Sequence, residues 1–309
     1  MTAATTGTGT ARGTGVGTGG GRSGKGGSGA KRGRTNWVAT IILLIGAVYC
    51  VLPVVWIVIA STKTNSELFS TAPFAPSFHG GFFSNLRALF AYDHGIFARW
   101  AVNSVIYAVG GATLSTIVCG CAGYALGKYR FHGSVWLFRL IVAAVLLPQI
   151  MLAIPQFLLL AKLGLTNNYA AVILPQLVSP FAIYLCKVYA EASVSDQVLE
   201  AARVDGASEW RMFASIGSRL MMPALVTVFL LQFIGIWNNF LLPFVMLNRD
   251  QLFPLTEGLY GLLIITGGQA AQYTIVIIGV LVSIVPLAAV FLLLQRYWRV
   301  DLVSGGVKA

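Results

Sequence analysis

The side chains that could do chemistry in this chain are few, and their spacing excludes most of it. Cys50, Cys119, Cys121 and Cys186 all lie inside apolar runs. Cys119 and Cys121 do not have the spacing of a metal knuckle, and no histidine stands near them. They read as small buried hydrophobes. His79, His94 and His132 are scattered in loops without carboxylate or cysteine companions, so no metal site is expected. Two glycine-rich runs imitate nucleotide-binding sequences. Gly15-Val16-Gly17-Thr18-Gly19-Gly20 fits the dinucleotide fingerprint, and Gly19 to Lys25 fits most of a phosphate-binding loop. Each needs a strand before it and a helix after it. Neither is present, and Gly26 stands where a Ser or Thr would hold magnesium. What remains is a set of amides inside apolar stretches: Gln149, Gln156, Gln232, Asn238 and Asn239. Such groups suit sugar hydroxyls, and equally they can hydrogen-bond neighbouring helices. Spacing leaves both readings open.

The elements that must position these amides follow from composition. Of 309 residues, 57% are hydrophobic and 10% charged, where a soluble domain carries about 25% charged. Soluble globular and disordered classes are both excluded. A net charge of +11 would ordinarily point to nucleic acid. Residues 1–36 hold 13 of the 34 glycines and six basic residues. They have almost nothing to bury and should form a disordered cytoplasmic tail. The apolar run that follows is too long for a signal peptide.

Six apolar runs are each long enough for the roughly 20 residues of a bilayer span. They lie near 37–61, 101–126, 137–161, 168–189, 223–247 and 273–295. Trp37, Trp136, Tyr273, Tyr297 and Trp298 flank them as an interfacial aromatic belt would. Pro53, Pro148, Pro155, Pro175, Pro180, Pro243 and Pro286 fall inside them, which packed membrane helices tolerate. With a cytoplasmic N-terminus, 16 of the 21 basic residues fall on the cytoplasmic side and five on the other. Both termini are therefore expected in the cytoplasm of a multi-pass protein of the cell membrane. The excess charge becomes a topology signal, and nucleic-acid binding is not needed to explain it. The spans contain no Asp or Glu. That weakens an ion-coupled carrier, which buries ionisable groups on its path. It leaves a passive pore, or a membrane subunit energised by another protein.

The cytoplasmic loop 190–222 carries the most information. Val198, Leu199 and Ala202 share a helical face, and Trp210, Phe213, Ala214 and Gly217 follow the i, i+3, i+4, i+7 rule. Between them Asp205-Gly206 breaks the helix, since glycine accepts the left-handed conformation of a helix end. Ser208 then caps a second helix with Glu209 at its positive end. A helix–turn–helix with a short apolar ridge suits insertion into a groove on a partner. Spacing alone would equally allow an amphipathic loop on the membrane surface.

Glu200-Ala201-Ala202, then three residues, then Gly206, resembles the EAA signature of ABC importer permeases. The wider chain resembles the maltose-type carbohydrate permease subunit over nearly all of 37–309. Phe157 to Tyr169, Trp237 to Pro243, Pro254 to Leu259 and Leu302 to Ala309 carry the likeness. The resemblance implies an all-α, six-span type I ABC importer permease, with no catalytic residue of its own. ATP and magnesium would be bound by two partner ATPase subunits. A second homologous permease and an extracytoplasmic solute-binding protein would complete the assembly. Glu200 and Gly206 would be the key positions of a coupling helix docked on the ATPase, with Ala201, Ala202, Asp205 and Ala207 lining the contact. The tail Ser304-Gly305-Gly306-Val307-Lys308 would reach toward the ATPase interface, unless it is a frayed end. Gly267-Gly268-Gln269 would tip the loop 248–272 offered to the binding protein. In this family the partner permease carries most sugar contacts. The substrate implied is an oligosaccharide or a related polyol or sugar phosphate.

One departure from the family pattern stands out. Ser218-Arg219 replaces the usual Leu-Pro, so the second helix of the loop is expected to run on longer before span five. Two alternatives are a homodimeric permease for an amino acid or peptide, and a membrane-embedded enzyme or assembly factor. The sugar-type segments argue against the first. No catalytic cluster at the membrane face supports the second.

Overall fold

A computed structural model describes residues 37–77, 81–265 and 273–295. The tail 1–36, His79, Gly267 to Gln269 and the C-terminal Ser304 to Lys308 lie outside the described residues. So do Tyr297 and Trp298. Two compact units are distinguished, Met1–Tyr49 and Cys50–Ala309. Of the first, residues 37–49 are described; they are helical and every side chain is exposed.

Among the described residues the secondary structure is helical, as expected of an all-α membrane chain. Helix α1 runs Trp37–Ser61 with Pro53 inside it. Short α2 (Asn65–Ser70) opens on a capping box in which the Thr64 side chain and Glu67 exchange backbone bonds. Helices α3 (Gly81–Ala91), α4 (Ile96–Val105) and α5 (Gly111–Lys128) follow. Asp93 and His94 at positive φ kink the chain between the first two, and a π-turn over Ile106–Gly110 joins the second pair. Thus the stretch expected as one span from 101 is preceded by helix from residue 81.

Two of the expected spans are bent within their length, and a third bend leads into the fifth. Helix α6 (Ser134–Val145) turns by 104° into the segment 149–162, which ends in α7 (Ala153–Lys162). Helix α8 (Tyr169–Ile173) and its 3-10 extension meet α9 (Pro180–Ser193) at 44°. Beyond α10 (Asp196–Val204), α11 (Glu209–Met212) runs on through a π-turn and α12 (Ser218–Leu220). It then bends 79° into α13 (Met222–Trp237). Among the described residues, three helical stretches are long and apolar enough to cross a membrane, and up to six if each bent pair counts as one span. Short α14 (Leu241–Met246), α15 (Leu255–Ile265) and α16 (Tyr273–Leu294) complete the chain. Prolines account for two of the breaks. Pro148 has no N–H to continue α6, and Pro180 opens α9 at a position where its missing donor costs nothing.

Packing in the second unit is inside-out relative to a soluble protein. Large apolar side chains such as Leu140, Leu146, Ile154, Val285 and Leu293 face outward. Small residues stand where helices cross most closely, which lets their backbones approach. Helix α5 crosses α9 through Gly123 and Gly127, with Gly123 lying against Cys186 and Gly127 against Ala190. Two cores result. One gathers Cys119, Tyr124, Cys186, Leu199, Met212 and Met221 at the end that carries the 190–222 loop. The other gathers Phe97, Trp100, Tyr107, Phe233, Trp237 and Leu259.

Candidate functional site

The 190–222 loop is a helix–turn–helix. Gly206 takes φ +78°, the left-handed conformation that its lack of Cβ permits. The Ala207 N–H returns to the Ala202 carbonyl at 2.9 Å, closing the turn. The Ser208 side chain accepts the Arg211 N–H and caps α11. Arg203 donates to both carboxylate oxygens of Glu209 across this turn, at 2.9 and 3.4 Å. Tyr129, just past α5, donates its hydroxyl to the same carboxylate at 2.5 Å. The bond from Arg203, and then the one from Tyr129, hold the Glu209 carboxyl below its usual range. Lys128 completes the mounting with an ion pair to Asp196 at 3.0 Å, in the first turn of α10.

Of the residues singled out from the EAA pattern, Glu200, Ala201, Asp205 and Gly206 are exposed. Ala202 and Ala207 instead lean half-buried on the core around Leu199 and Met212. The apolar surface left outward is Val204, 88% exposed, and Trp210, 70% exposed, with Val198 beside them. Val204 escaped the periodicity argument because it follows the inward face by a partial turn. Its signal was an apolar residue between charged Arg203 and Asp205.

The second site lies among the helix breaks. A cavity of about 470 Å³ is lined by Gln149, Gln156, Gln232, Asn238 and Asn239, so the structure brings all five amides together. Gln149 stands at the break after α6, and Asn238 and Asn239 at the break between α13 and α14. Gln176 and Ser179, at the break between α8 and α9, join them and were missed. Their signal was a repeat: Leu-Pro-Gln occurs at 147–149 and again at 174–176.

The two roles open to these amides divide between them. Gln232 donates to Ser115 on α5 at 2.6 Å. Asn239 donates to Gln176, accepts the Leu242 N–H, and offers its carbonyl to Thr256. These tie helices together. Asn238 donates back to the Ile234 carbonyl. Gln149 and Gln156 make no hydrogen bond among the described residues and stand free on the cavity wall. Broken helices that line a cavity and leave polar groups facing it are how membrane carriers build a solute site.

The motif at Pro254–Leu259 packs on α4. The Ser104 hydroxyl accepts the Leu255 N–H at 2.7 Å, and Gly258 lies against the Trp100 ring. Glu257 is 4% exposed, and its Oε2 has no partner among the described residues. Burial pushes this carboxyl up to about 8.

Comparison with known proteins decides the family. Residues 120–299 match the Binding-protein-dependent transport system inner membrane component family. The chain belongs to that family. The permease is 35% identical to the arabinooligosaccharides transport system permease protein AraQ of Halalkalibacterium halodurans, over 88% of this chain and 96% of that one. It is 28% identical to the lactose transport system permease protein LacG of Rhizobium radiobacter, over 86% and 94%. Its fold matches a chain in the crystal structure of a bacterial ABC transporter involved in import of the acidic polysaccharide alginate. The TM-score there is 0.73 at 26% identity, covering 85% of this chain and 95% of that chain. The permease is thus a multi-pass membrane subunit of a transport system and not an enzyme.

Proposed function

We propose that this permease imports an oligosaccharide, or a related polyol or sugar phosphate, as one of two homologous membrane subunits. Two ATPase subunits on the cytoplasmic side and an extracytoplasmic binding protein complete the machine. The observation that carries this reading is the convergence of three helix breaks on one amide-lined cavity, in a chain similar along its length to oligosaccharide permeases. Its volume falls in the range of small-ligand sites, about 300–1,000 Å³. Free amides such as Gln149 and Gln156 exchange hydrogen bonds with hydroxyls at no cost to the fold.

Energy enters through the 190–222 loop. Glu200, Ala201, Asp205 and Gly206 with the ridge Val204–Trp210 dock on the ATPase, with Ala202 and Ala207 supporting them from behind. ATP-driven closure of that partner moves the broken helices between inward- and outward-facing states. ATP and magnesium bind to the partner, and both termini of the permease face it in the cytoplasm. Ser304 to Lys308 extends the contact, and Gly267 to Gln269 meets the binding protein on the other side. Tagged permease purified in mild detergent should bring an ATPase with it, and Glu200→Ala or Gly206→Pro should abolish transport while the protein still inserts. Wild-type permease that purifies without any ATPase overturns the importer reading. Full transport in both variants overturns the docking site.

A further inference from the structure

The loop is held by a corner that does not flank it in sequence. Lys128 and Tyr129 are consecutive residues at the end of α5, and they grip opposite halves of the loop. Lys128 takes Asp196 in α10, and Tyr129 takes Glu209 in α11, separations of 68 and 80 residues. Tyr124, one turn earlier, packs its ring 5.0 Å from Phe213 and fills the space a side chain would need at Gly217. Glu209 is the shared acceptor, since Arg203 locks α10 to the same carboxylate.

We propose that Glu209 and Tyr129 are positioning residues that make the coupling loop and the end of α5 one rigid body. This deepens the coupling role assigned above and rests on it. Displacement of the loop by the ATPase is then delivered first to α5, and only secondarily to the spans on either side of the loop in sequence. Helix α5 is suited to pass it on. Its Gly123 and Gly127 mesh with α9, and its buried Ser115 holds Gln232, whose other side faces the cavity. A push on Tyr129 therefore reaches an amide of the solute path through one continuous helix.

The test uses the whole complex in proteoliposomes with its binding protein and sugar. Tyr129→Phe removes only the hydroxyl, and Glu209→Gln only the charge. Both complexes should assemble and hydrolyse ATP, yet transport per ATP should fall by about tenfold, within the usual span of coupling factors. The double variant should lose no more than the more damaging single one, because both weaken the same link. Complexes that assemble and keep the wild-type ratio of transport to hydrolysis overturn the proposal.

A second arm is independent of stability. Tyr129→Cys with Glu209→Cys, in a chain carrying Cys50→Ser and Cys121→Ser, is bridged by a short rigid bismaleimide. A rigid body tolerates the bridge, which also restores the link the substitutions remove, so transport per ATP should exceed that of the same protein capped with N-ethylmaleimide. Arrest by the bridge alone means the two parts must separate during transport and refutes the inference. Failure of the wild-type permease to bind an ATPase would instead sink the coupling role itself, so the two failures are distinguishable.

Discussion

Replacing Gly123 with alanine adds one methyl group where α5 crosses α9. Its Cβ would stand 2.4 Å from the Cys186 Cβ, 2.8 Å from the Lys187 nitrogen and 2.9 Å from the Cys186 carbonyl carbon. Carbon atoms rest at about 3.5–4.0 Å, so the helices must part by about 1 Å. Two of the three obstacles are backbone and cannot rotate away. Overpacking of this kind costs about 1–3 kcal/mol, offset by up to about 1 kcal/mol from alanine's better helix propensity. A net loss near 1–2 kcal/mol lowers the apparent melting temperature by about 2–8 °C for a chain of this size. The assay is thermal unfolding of the purified permease in one detergent. Gly127→Ala meets its nearest neighbours at 3.2 Å and should be milder. Gly235→Ala has nothing within 4 Å and should be neutral or slightly stabilising. If Gly123→Ala and Gly235→Ala melt together, the close crossing of α5 and α9 is not what holds this region.

Glu257 should make stability depend on pH. Its folded pKa near 8 lies above the ordinary 4.5, so the unfolded chain releases the proton first as pH rises. The stabilising share of this group is complete below about 4.5 and is lost as pH climbs through 8. Melting curves from pH 6 to 9 should show the fall, and Glu257→Gln, which cannot ionise, should flatten it; an equal fall in the variant refutes the assignment. Gly206→Asn should be tolerated better than Gly206→Val, because asparagine accepts the left-handed turn and a β-branched residue does not. Protease sensitivity of the loop in the purified permease ranks the two, and equal sensitivity would refute the turn's role. Gln156→Ala should weaken transport affinity while leaving the melting temperature alone. Asn239→Ala breaks bonds to Gln176 and Leu242 and should cost about 1–3 kcal/mol of stability. Reversed outcomes in this pair would exchange their roles.

The helix–turn–helix of the loop was legible because its signals are local. Asp205-Gly206 ends one helix by backbone geometry, and Ser208 begins the next by a side-chain cap three residues from its target. Local chemistry of that range survives any tertiary context. The run-on of the second helix at Ser218-Arg219 was legible for the same reason, since no proline interrupts it before Pro223. Hydropathy likewise located six apolar stretches, but it weighs composition and is blind to direction. It could not show that two of those stretches bend, by 104° and 44°, or that a 79° bend leads into the fifth.

Sequence alone thus determined that the chain lives in a membrane, where its apolar stretches lie, and that the loop 190–222 folds as a helix–turn–helix. Apolarity, turn chemistry and capping act between residues near in sequence. The tertiary structure decided what those signals could not reach. It drew Gln149, Gln176 and Asn239 from three separate breaks onto one cavity, and it turned Ala202 and Ala207 inward while exposing Val204. It also joined Tyr129 to Glu209 across 80 residues. Contacts of that kind depend on how helices cross, and the crossing is set by small residues such as Gly123, whose partners only the packed fold names.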